Sequence, residues 1–309
     1  MRILDLPAIE KALAYREVID RMRDAVTAWS RGECDMPMPM HLDIAPESAE
    51  VHMKSSYRRG GKYFALKIAA TFPGNAARGL PVGNGMMLLS SAETGAPVAF
   101  LADAGHLTDV RTAAVTALAA REVGRRDRVL GIVGTGIQAR LQARMHAEVL
   151  ALEQIYLWGR NRERAEECRR DIQAAIPGTE IVLADSPAAV ARAARLIVTV
   201  TASRAPLIEL CDVQPGTHIS AVGSDSPGKQ ELDPAILRGA ALLLADSLRQ
   251  CAKLGELQHA PDQAERAREI GAYCDAPSPF DPAGVTVADF TGLGVEDLAI
   301  AEYVYERAT

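Results

Sequence analysis

Arg128–Ala139, with the sequence RVLGIVGTGIQA, is the stretch that decides the fold. Its apolar run Val129–Val133 is typical of a strand that is buried on both faces. The run leads into Gly134-Thr135-Gly136-Ile137-Gln138-Ala139, which fits the dinucleotide-binding fingerprint G-x-G-x-x-G/A. Gly134 permits the tight turn, Gly136 lets the backbone approach a pyrophosphate, and Ala139 lets the next helix pack closely. We therefore predict that these six residues bind a dinucleotide through the start of that helix, rather than forming an ordinary strand-to-helix turn.

Beyond this stretch the chain alternates between short apolar runs and helical patterns. Parallel strands are predicted at 129–133, 155–158, 180–184, 196–201, 217–222 and 241–245. Six such strands, with the fingerprint after the first, predict an α/β, doubly wound Rossmann dinucleotide-binding domain. Because ligands bind at the carboxyl ends of these strands, we also expect Thr201, Val222 and Gly223 to contact the cofactor. In the poorly patterned segment 250–278, a helix is predicted near Asp262–Ile270.

The first 118 residues lack this alternation and predict a second, α+β domain. Helices are expected at Tyr15–Arg31 and Leu107–Val123, with an extended link at 36–40 between the first helix and the strands. Two hairpins are predicted, which pair Val51–Tyr57 with Tyr63–Thr71 and Met86–Ser91 with Pro97–Ala102.

The terminal helix, Val295–Ala308, is expected to return to this first domain, since no strand position is left for it. The predicted division of the chain is therefore 1–118 plus 292–309 for one domain and 119–291 for the Rossmann domain. We see no internal repeat that would suggest a different arrangement.

The bulk composition excludes several classes of function. Of the 309 residues, 48% are hydrophobic and 24% are charged, and the formal net charge is −6. This balance, without a basic run, disfavours a nucleic-acid partner, and no apolar stretch is long enough to span a membrane. The charged residues in MRILDLPAIEKAL argue against a signal peptide. Five separated cysteines without a CxxC pair, and histidines without metal-ligand spacing, indicate reduced thiols in a cytoplasm and no metal site.

The end of the second predicted strand bears on the choice of cofactor. A carboxylate there binds the ribose 2′-hydroxyl of NAD, but this chain has Gly159-Arg160-Asn161-Arg162. Guanidinium groups suit a 2′-phosphate, so we favour NADP(H), with NAD(H) possible, and expect Arg160, Asn161 and Arg162 to contact the nucleotide. The alternative is that the arginines are solvated residues at a turn.

Three further residues are candidates for substrate chemistry. Lys67 lies in an otherwise apolar strand, and on periodicity alone it is equally well an exposed lysine on a half-buried strand. Arg111 lies on a helix with mostly small apolar faces, where it is either an anion clamp or a solvated residue. Asp225 follows the fifth predicted strand, where ligands bind, although Asp-Ser-Pro-Gly is also a good turn.

Together these stretches resemble the ornithine cyclodeaminase/μ-crystallin family over essentially the whole chain. The shared motifs are LKIAATFPGN at 66–75, GLP at 79–81, ETGAPVA at 93–99, LTDVRTAA at 107–114, GTGIQARLQ at 134–142, GSDSPGKQEL at 223–232 and TGLGVEDLAIA at 291–301. The succession of LTxxRTAA and GTGxQA is specific. The middle of the chain is similar to bacterial ectoine-utilisation cyclodeaminases.

The resemblance implies a homodimer in which the first domain and the terminal helix form the interface and part of the substrate pocket. It also implies transfer of hydride between a nicotinamide and an amino or imino acid, with the nicotinamide facing a carboxylate-binding pocket between the domains. It assigns substrate contacts to Lys67 and Arg111, and the handling of the substrate amine to Asp225. Gly134, Gly136 and Ala139 match the family's nucleotide loop.

The chain departs from the family pattern at two places. The family has an arginine after the proline of the early link as a further carboxylate contact, whereas Met40 follows Pro39 here. Ornithine cyclodeaminase has an acidic residue at the second strand end, whereas Gly159-Arg160-Asn161 is more like the family's NADPH-using reductases. The first departure leaves the carboxylate to Arg111 and Lys67, or points to a different substrate.

These features favour an NADPH-dependent reductase that converts a cyclic or linear α-imino acid to the amino acid. In this hypothesis Arg111 holds the carboxylate, Lys67 supplies a positive field or a proton, and Asp225 pairs with the iminium or amine nitrogen. Two alternatives stay open. One is an ornithine cyclodeaminase-type lyase that uses NAD catalytically, and the other is a non-catalytic nucleotide or small-ligand binder like μ-crystallin.

Overall fold

The computed structural model describes residues 1–308, which form two compact units. The first unit comprises Met1–Thr112 and the residues from Leu293 onward, and the second comprises Ala113–Gly292. The boundary between the two units at Thr112 falls within the helix His106–Glu122, six residues before the boundary expected at 118.

A mixed seven-stranded sheet forms the centre of the first unit. Its strands are β1 (Arg2–Asp5), β2 (Cys34–Asp35), β3 (Met40–Ile44), β4 (Ala49–Arg58), β5 (Tyr63–Thr71), β6 (Gly83–Ser91) and β7 (Pro97–Ala102). The order is β1-β7-β6-β5-β4-β2, and β3 also pairs with β4. The pair β1–β7 is parallel and the other pairs are antiparallel. Both predicted hairpins are confirmed.

Three helices accompany this sheet in the chain: α1 (Leu6–Ala12), α2 (Tyr15–Ser30) and α3 (His106–Glu122). Asp5 caps α1, because its carboxylate accepts a hydrogen bond from the amide of Ala8. Helix α2 is amphipathic as predicted and fully buries Val18, Ile19 and Met22 at helical spacing.

The second unit contains an eight-stranded sheet in which every neighbouring pair is parallel. The unit's strands are β8 (Val129–Val133), β9 (Gln154–Trp158), β10 (Glu180–Leu183), β11 (Leu196–Thr199), β12 (Arg204–Ile208), β13 (His218–Ala221), β14 (Gln230–Leu232), β15 (Leu242–Ala245), β16 (Arg268–Glu269) and β17 (Thr286–Asp289). The sheet order is β10-β9-β8-β11-β13-β17-β15-β16, and β12 pairs with β14 separately. The predicted doubly wound Rossmann fold is confirmed.

Helices connect most of these strands, as expected for parallel pairs. They are α4 (Ile137–Val149), α5 (Arg162–Ala175), α6 (Pro187–Ala193), α7 (Pro234–Gly239), α8 (Leu248–Leu254) and α9 (Ile270–Asp275). Short polar side chains start several of them by accepting a hydrogen bond from a first-turn amide. These caps are Asn161 for α5, Ser186 for α6, Asp233 for α7 and Ser247 for α8.

The last helix, α10 (Gly294–Arg307), belongs to the first unit, as the sequence predicted. It packs against α2, β4 and β5. The Ser56 hydroxyl donates a 2.6 Å hydrogen bond to the carbonyl of Gly294, and the Tyr303 hydroxyl donates to the carboxylate of Glu17. The beginning of α10 is thereby held against β4.

Two predictions for the second unit are wrong. The parallel sheet has eight strands and not six, because β17 lies between β13 and β15 and β16 pairs with the edge of β15. The helix expected at Asp262–Ile270 is absent from the described chain. In its place a 3-10 turn at Pro261–Gln263 leads to β16, and the helix begins only at Ile270. Pro261 favours the turn, and pairing with β15 holds Arg268–Glu269 extended.

Two further features of the described residues concern the chain as a whole. Within residues 1–308 no helix combines the length and the apolar character that a membrane crossing needs. The five cysteines are free thiols, of which Cys211 is exposed and the other four are buried.

Candidate active site

The glycine loop joins β8 to α4 in the second unit, as predicted. Gly134 has φ +130°, and a Cβ there would lie 2.7 Å from the carbonyl oxygen of Val200, so only glycine fits. Gly136 is different, because a Cβ built on it meets no protein atom within 4 Å. Its open side leaves room for a ligand next to the first amides of α4, whose positive end attracts phosphate. The loop therefore fits a dinucleotide pyrophosphate.

The side chains in and beside the loop differ in their burial and in their hydrogen bonds. Ala139 is fully buried where α4 meets the sheet, whereas Ile137 is 54% exposed at the helix start. Gln138 accepts a hydrogen bond from Gln142, one turn further along α4. Arg140, which the sequence analysis missed, donates to the carbonyls of Thr135 and Gly136 and to the carboxylate of Asp171. Arg140 thereby fixes the backbone of the glycine loop.

The end of β9 carries the arginines expected beside the nucleotide ribose. Arg160 and Arg162 are exposed, and the Arg162 guanidinium lies 3.9 Å from the carboxylate of Asp185, which is exposed as well. Asn161 uses its side-chain oxygen to cap α5 at the amide of Arg164, 2.9 Å away. Asn161 therefore has a structural task here, and the arginines are the groups that remain accessible to a phosphate.

The ends of β11 and β13 are tied together by Glu231, a buried carboxylate that the sequence analysis also missed. It accepts hydrogen bonds from the Thr199 hydroxyl, from the amide and hydroxyl of Thr201, and from the amide of Gly223, all between 2.6 and 2.8 Å. Thr201, Val222 and Gly223 lie just beyond the carboxyl ends of these strands, and their contact with the cofactor stays a prediction. Burial raises the pKa of Glu231, and these four hydrogen bonds oppose that rise.

A buried cluster of four charged side chains lies in the first unit and includes two of the predicted site residues. The Lys67 Nζ atom is 3.2 Å and 3.0 Å from the two carboxylate oxygens of Asp297. Arg111 donates from Nε to Asp297 and from Nη1 to Glu296, both at 2.9 Å. The four side chains are at most 4% exposed. The structure thus brings Lys67 and Arg111 to one pair of carboxylates.

The positions of the two acids explain the electrostatics of this cluster. Glu296 and Asp297 occupy the first turn of α10, where the helix dipole stabilises negative charge. Arg111 and Lys67 hold the pKa of Asp297 below its ordinary value despite burial. Burial lowers the pKa of Lys67 to about 7, because the cost of desolvating the ammonium exceeds the attraction of Asp297. A lysine that titrates near neutrality is suited to proton transfer.

The structure decides between the two interpretations of Lys67 in favour of a buried residue. Lys67 and Ala65 are each 2% exposed, whereas Phe64 and Leu66 on the other face of β5 are 36% and 37% exposed. The interpretation of Lys67 as an exposed lysine on a half-buried strand is therefore wrong. Alternation correctly grouped the residues by face, but the larger apolar side chains lie on the more exposed face.

Asp225 lies in the turn after β13 and is exposed. Its carboxylate oxygen is 2.6 Å from Lys229 Nζ and accepts a hydrogen bond from the Ser226 hydroxyl. These contacts stabilise the Asp-Ser-Pro-Gly turn that the sequence also suggested. They leave the carboxylate at the surface of the second unit, where a catalytic role stays a prediction.

Comparison with known proteins extends this picture along the whole chain. A model of the ornithine cyclodeaminase/mu-crystallin family matches residues 2–309. The chain is 39% identical over 303 residues to a Rhizobium meliloti protein provisionally named as a dehydrogenase, with 95% of this chain and 91% of the relative covered. It is 30% identical over 321 residues to alanine dehydrogenase of Archaeoglobus fulgidus, covering 99% and 94%. It is 29% identical over 317 residues to Δ1-pyrroline-2-carboxylate reductase of Bacillus cereus, covering 100% and 97%.

Solved structures support the same assignment of fold. An archaeal alanine dehydrogenase dimer with bound NAD superposes with a TM-score of 0.90 at 28% identity, covering 100% of this chain and 96% of the other. Iminosuccinate reductase of Paracoccus denitrificans in complex with NAD+ gives a TM-score of 0.88 at 28% identity and the same coverage. A lysine cyclodeaminase gives 0.87 at 29% identity, covering 100% and 92%. The predicted combination of a Rossmann domain with an α+β domain is confirmed.

Proposed function

We propose, from the premise that this chain belongs to the ornithine cyclodeaminase/mu-crystallin family, that it reduces an α-imino acid to the corresponding amino acid with NADPH. The observation that carries the proposal is the buried cluster of Lys67, Arg111, Glu296 and Asp297 in a chain that also has a dinucleotide loop. A protein that only binds nucleotide has no need of a buried lysine with a near-neutral pKa. Relatives named as alanine dehydrogenase and pyrroline-2-carboxylate reductase act on this class of carbon–nitrogen bond.

The proposed chemistry assigns a separate task to each group. When bound, the dinucleotide supplies the hydride that reduces the carbon of the C=N bond. Lys67, as the ammonium, supplies the proton that the nitrogen gains, and it regains a proton from solvent. Arg111 holds Asp297 and Glu296 in place and keeps positive charge near the substrate carboxylate. Asp225 accepts a hydrogen bond from the iminium or amine nitrogen.

The test is a spectrophotometric assay of the purified protein with NADPH or NADH and a panel of cyclic and linear imino acids. The proposal expects loss of absorbance at the nicotinamide band together with formation of the amino acid. Formation of ammonia and proline from ornithine, without net cofactor turnover, would instead indicate a cyclodeaminase. This alternative is retained because a solved lysine cyclodeaminase has a similar fold. Nucleotide binding without turnover of any carbon–nitrogen substrate would select the non-catalytic binder.

The preference for NADPH over NADH is a further part of the proposal, and it is carried by Arg160. Two of the solved structures described above, the alanine dehydrogenase and the iminosuccinate reductase, hold NAD, so the proposed preference for NADPH rests on the exposed Arg160 beyond β9. Arg160→Asp should raise the KM for NADPH about tenfold or more and change the KM for NADH little, because a carboxylate repels the 2′-phosphate. Steady-state kinetics with each cofactor measures both values.

A matched control is available on α5, the helix that follows Arg160. Arg170→Asp makes the same charge change on the exposed face of α5, roughly 12 Å along the helix from Arg162. It should leave both KM values as in the wild type. An unchanged ratio of NADPH to NADH selectivity in Arg160→Asp would contradict the assignment.

We also propose that the chain forms a homodimer through the exposed face of the first sheet. Met40, Leu42, Phe64, Leu66 and Met86 share this face by strand register and are between 36% and 62% exposed. A contiguous apolar surface of this kind marks a protein–protein interface. A relative of similar fold is described as a dimer.

A cytoplasmic setting completes the proposal, since a reducing compartment keeps five cysteines as free thiols.

Light scattering tests this surface directly. The wild type should have twice the protomer mass of 33.1 kDa, and Leu66→Glu should shift the population towards the monomer by placing a charge within the apolar face. Leu210→Glu introduces the same charge at an equally exposed leucine of the second unit and should leave the mass unchanged. A monomeric wild type at micromolar concentration would exclude the dimer.

A further inference from the structure

The carboxylate of Glu231 joins the ends of two neighbouring strands of the parallel sheet. Strands β11 and β13 are paired, and the amide of Val222 still donates to the carbonyl of Thr199 at 3.0 Å. The amides of Thr201 and Gly223 lie beyond that bond, and both donate to Glu231. Backbone amides that are shielded from water need an acceptor. One side chain thus satisfies both strand ends past the end of their ladder.

Each carboxylate oxygen of Glu231 accepts from one of these two backbone amides. Oε1 accepts from the amide and the hydroxyl of Thr201, at 2.6 and 2.7 Å. Oε2 accepts from the amide of Gly223 at 2.8 Å and from the hydroxyl of Thr199 at 2.6 Å. A backbone amide cannot act as an acceptor. A glutamine at position 231 would therefore, in either orientation, direct its NH2 group at one of the two backbone donors.

The packing around Glu231 leaves the two strand ends little freedom. A Cβ built on Gly223 would lie 2.0 Å from the carbonyl oxygen of Thr201 and 2.6 Å from the carboxyl carbon of Glu231. Only glycine permits so close an approach. The backbone of Glu231 is fixed as well, because its amide donates to Glu256 at 2.7 Å and the amide of Glu256 donates to Asp289 at 3.0 Å.

The strand order indicates which half of a dinucleotide would meet these strand ends. The glycine loop follows β8, and Arg160 follows β9 on one side of β8, whereas β11 and β13 lie on its other side. A doubly wound sheet binds a dinucleotide across the carboxyl ends of its strands, with the pyrophosphate at the fingerprint and the adenosine ribose at the end of the next strand. The nicotinamide half would then extend over β11 and β13.

We propose that Glu231 is a positioning residue for the nicotinamide half of the cofactor. It is 0% exposed, so it acts through the backbone at Thr201 and Gly223 and not by contact with the cofactor. Strand ends that are already fixed need no ordering when the cofactor binds, and they hold the nicotinamide in one place. This inference rests on the nucleotide binding in the proposed function and does not depend on which imino acid is reduced.

The experiment compares binding of NADPH, NADH and adenosine diphosphate to the wild type and to Glu231→Gln by calorimetric titration. Adenosine diphosphate has the adenosine and the pyrophosphate but lacks the nicotinamide riboside. Glu231→Gln should raise the Kd for the dinucleotide that the wild type prefers about tenfold, because one backbone amide loses its acceptor. The Kd for adenosine diphosphate should stay within about twofold of the wild-type value, because its binding strands are not tied by Glu231.

Asp212→Asn is the matched control. It makes the same carboxylate-to-amide change at a buried acid that pairs with Arg192, in the last turn of α6. This helix precedes β11, so the pair lies near the amino ends of the parallel strands, away from the edge where a cofactor binds. Asp212→Asn should leave the Kd values of all three ligands unchanged.

Thr199→Val is a milder variant that decides the question if Glu231→Gln does not fold. It removes one hydroxyl that donates to Glu231 and keeps the shape of the side chain. It should raise the Kd for the preferred dinucleotide about threefold and leave that for adenosine diphosphate unchanged.

An equal loss of affinity for the dinucleotide and for adenosine diphosphate would overturn the inference, since a general loss of structure produces that pattern. Wild-type Kd values in Glu231→Gln would also overturn it, as would a wild type that binds neither dinucleotide. If the dinucleotide affinities change as expected but no imino acid is reduced, the proposed reaction fails and the role of Glu231 stands.

Discussion

Replacement of Asp297 by alanine is expected to lower the free energy of unfolding by about 3–5 kcal/mol. Asp297 is 1% exposed and is the shared acceptor of Lys67 and Arg111, so its loss leaves two buried cations without their common acid. Urea unfolding followed by far-ultraviolet circular dichroism measures the change, with the slope of the transition reporting whether two-state behaviour is retained.

The destabilisation by Asp297→Ala is expected to depend on pH. In the wild type the pKa of Lys67 is about 7, against 10.5 for an ordinary lysine, and without Asp297 it falls further. A lysine whose folded pKa is depressed binds more protons in the unfolded chain, so its contribution to stability improves as the pH rises from the folded towards the unfolded value. At pH 9 Lys67 is neutral in both folded proteins, so the difference between variant and wild type should be smaller than at pH 6.

A carboxylate on the exposed side of the same helix serves as control. Glu306→Ala removes the exposed partner of Arg21 and should change the stability by less than about 1 kcal/mol. A similarly small effect of Asp297→Ala would contradict the view that the cluster depends on this residue. A pH-independent loss of stability would show that Lys67 does not titrate between the two conditions.

The glycine loop could be predicted from the sequence because its requirements are local. A strand, a turn that needs φ +130° at Gly134 and a helix that starts at Ile137 follow each other within a dozen residues. The hairpins β4–β5 and β6–β7 are equally local. Strand β17 could not be predicted, since a four-residue segment becomes a strand only through pairing with β13 and β15, which are distant in sequence.

The candidate site also depends on contacts between residues that are distant in sequence, which a local pattern does not predict. Lys67 and Arg111 were singled out as unusual charges in apolar surroundings, but their partners are separated from them by 230 and 186 positions. Glu296 and Asp297 have no local feature that predicts burial, because two adjacent acids near a helix start are commonly exposed. Only the return of α10 to the first sheet brings them onto the face of Lys67.

The largest effect on turnover is expected from substitution of Lys67. Methionine and arginine at this position distinguish proton donation by Lys67 from the effect of its positive charge. Lys67→Met keeps an unbranched stem of similar length and removes both charge and proton, so kcat should fall about 100- to 10,000-fold. Lys67→Arg keeps the positive charge beside Asp297, but a guanidinium does not release its proton near neutral pH. If Lys67 is the proton donor, the arginine variant should retain KM and lose kcat almost as completely as the methionine variant.

The pH profile provides the independent measure for Lys67. Because its pKa is lowered to about 7, the ammonium that donates the proton is lost as the pH rises through that value, and kcat of the wild type should fall above about pH 7. The dinucleotide loop belongs to the other compact unit, so the dissociation constant for NADPH should be the same in all three proteins. Wild-type kcat in Lys67→Arg would show that Lys67 supplies only a positive field. A kcat that stays constant up to pH 9 in the wild type would assign the proton to another group, because a lysine with a pKa of about 7 is almost wholly deprotonated there.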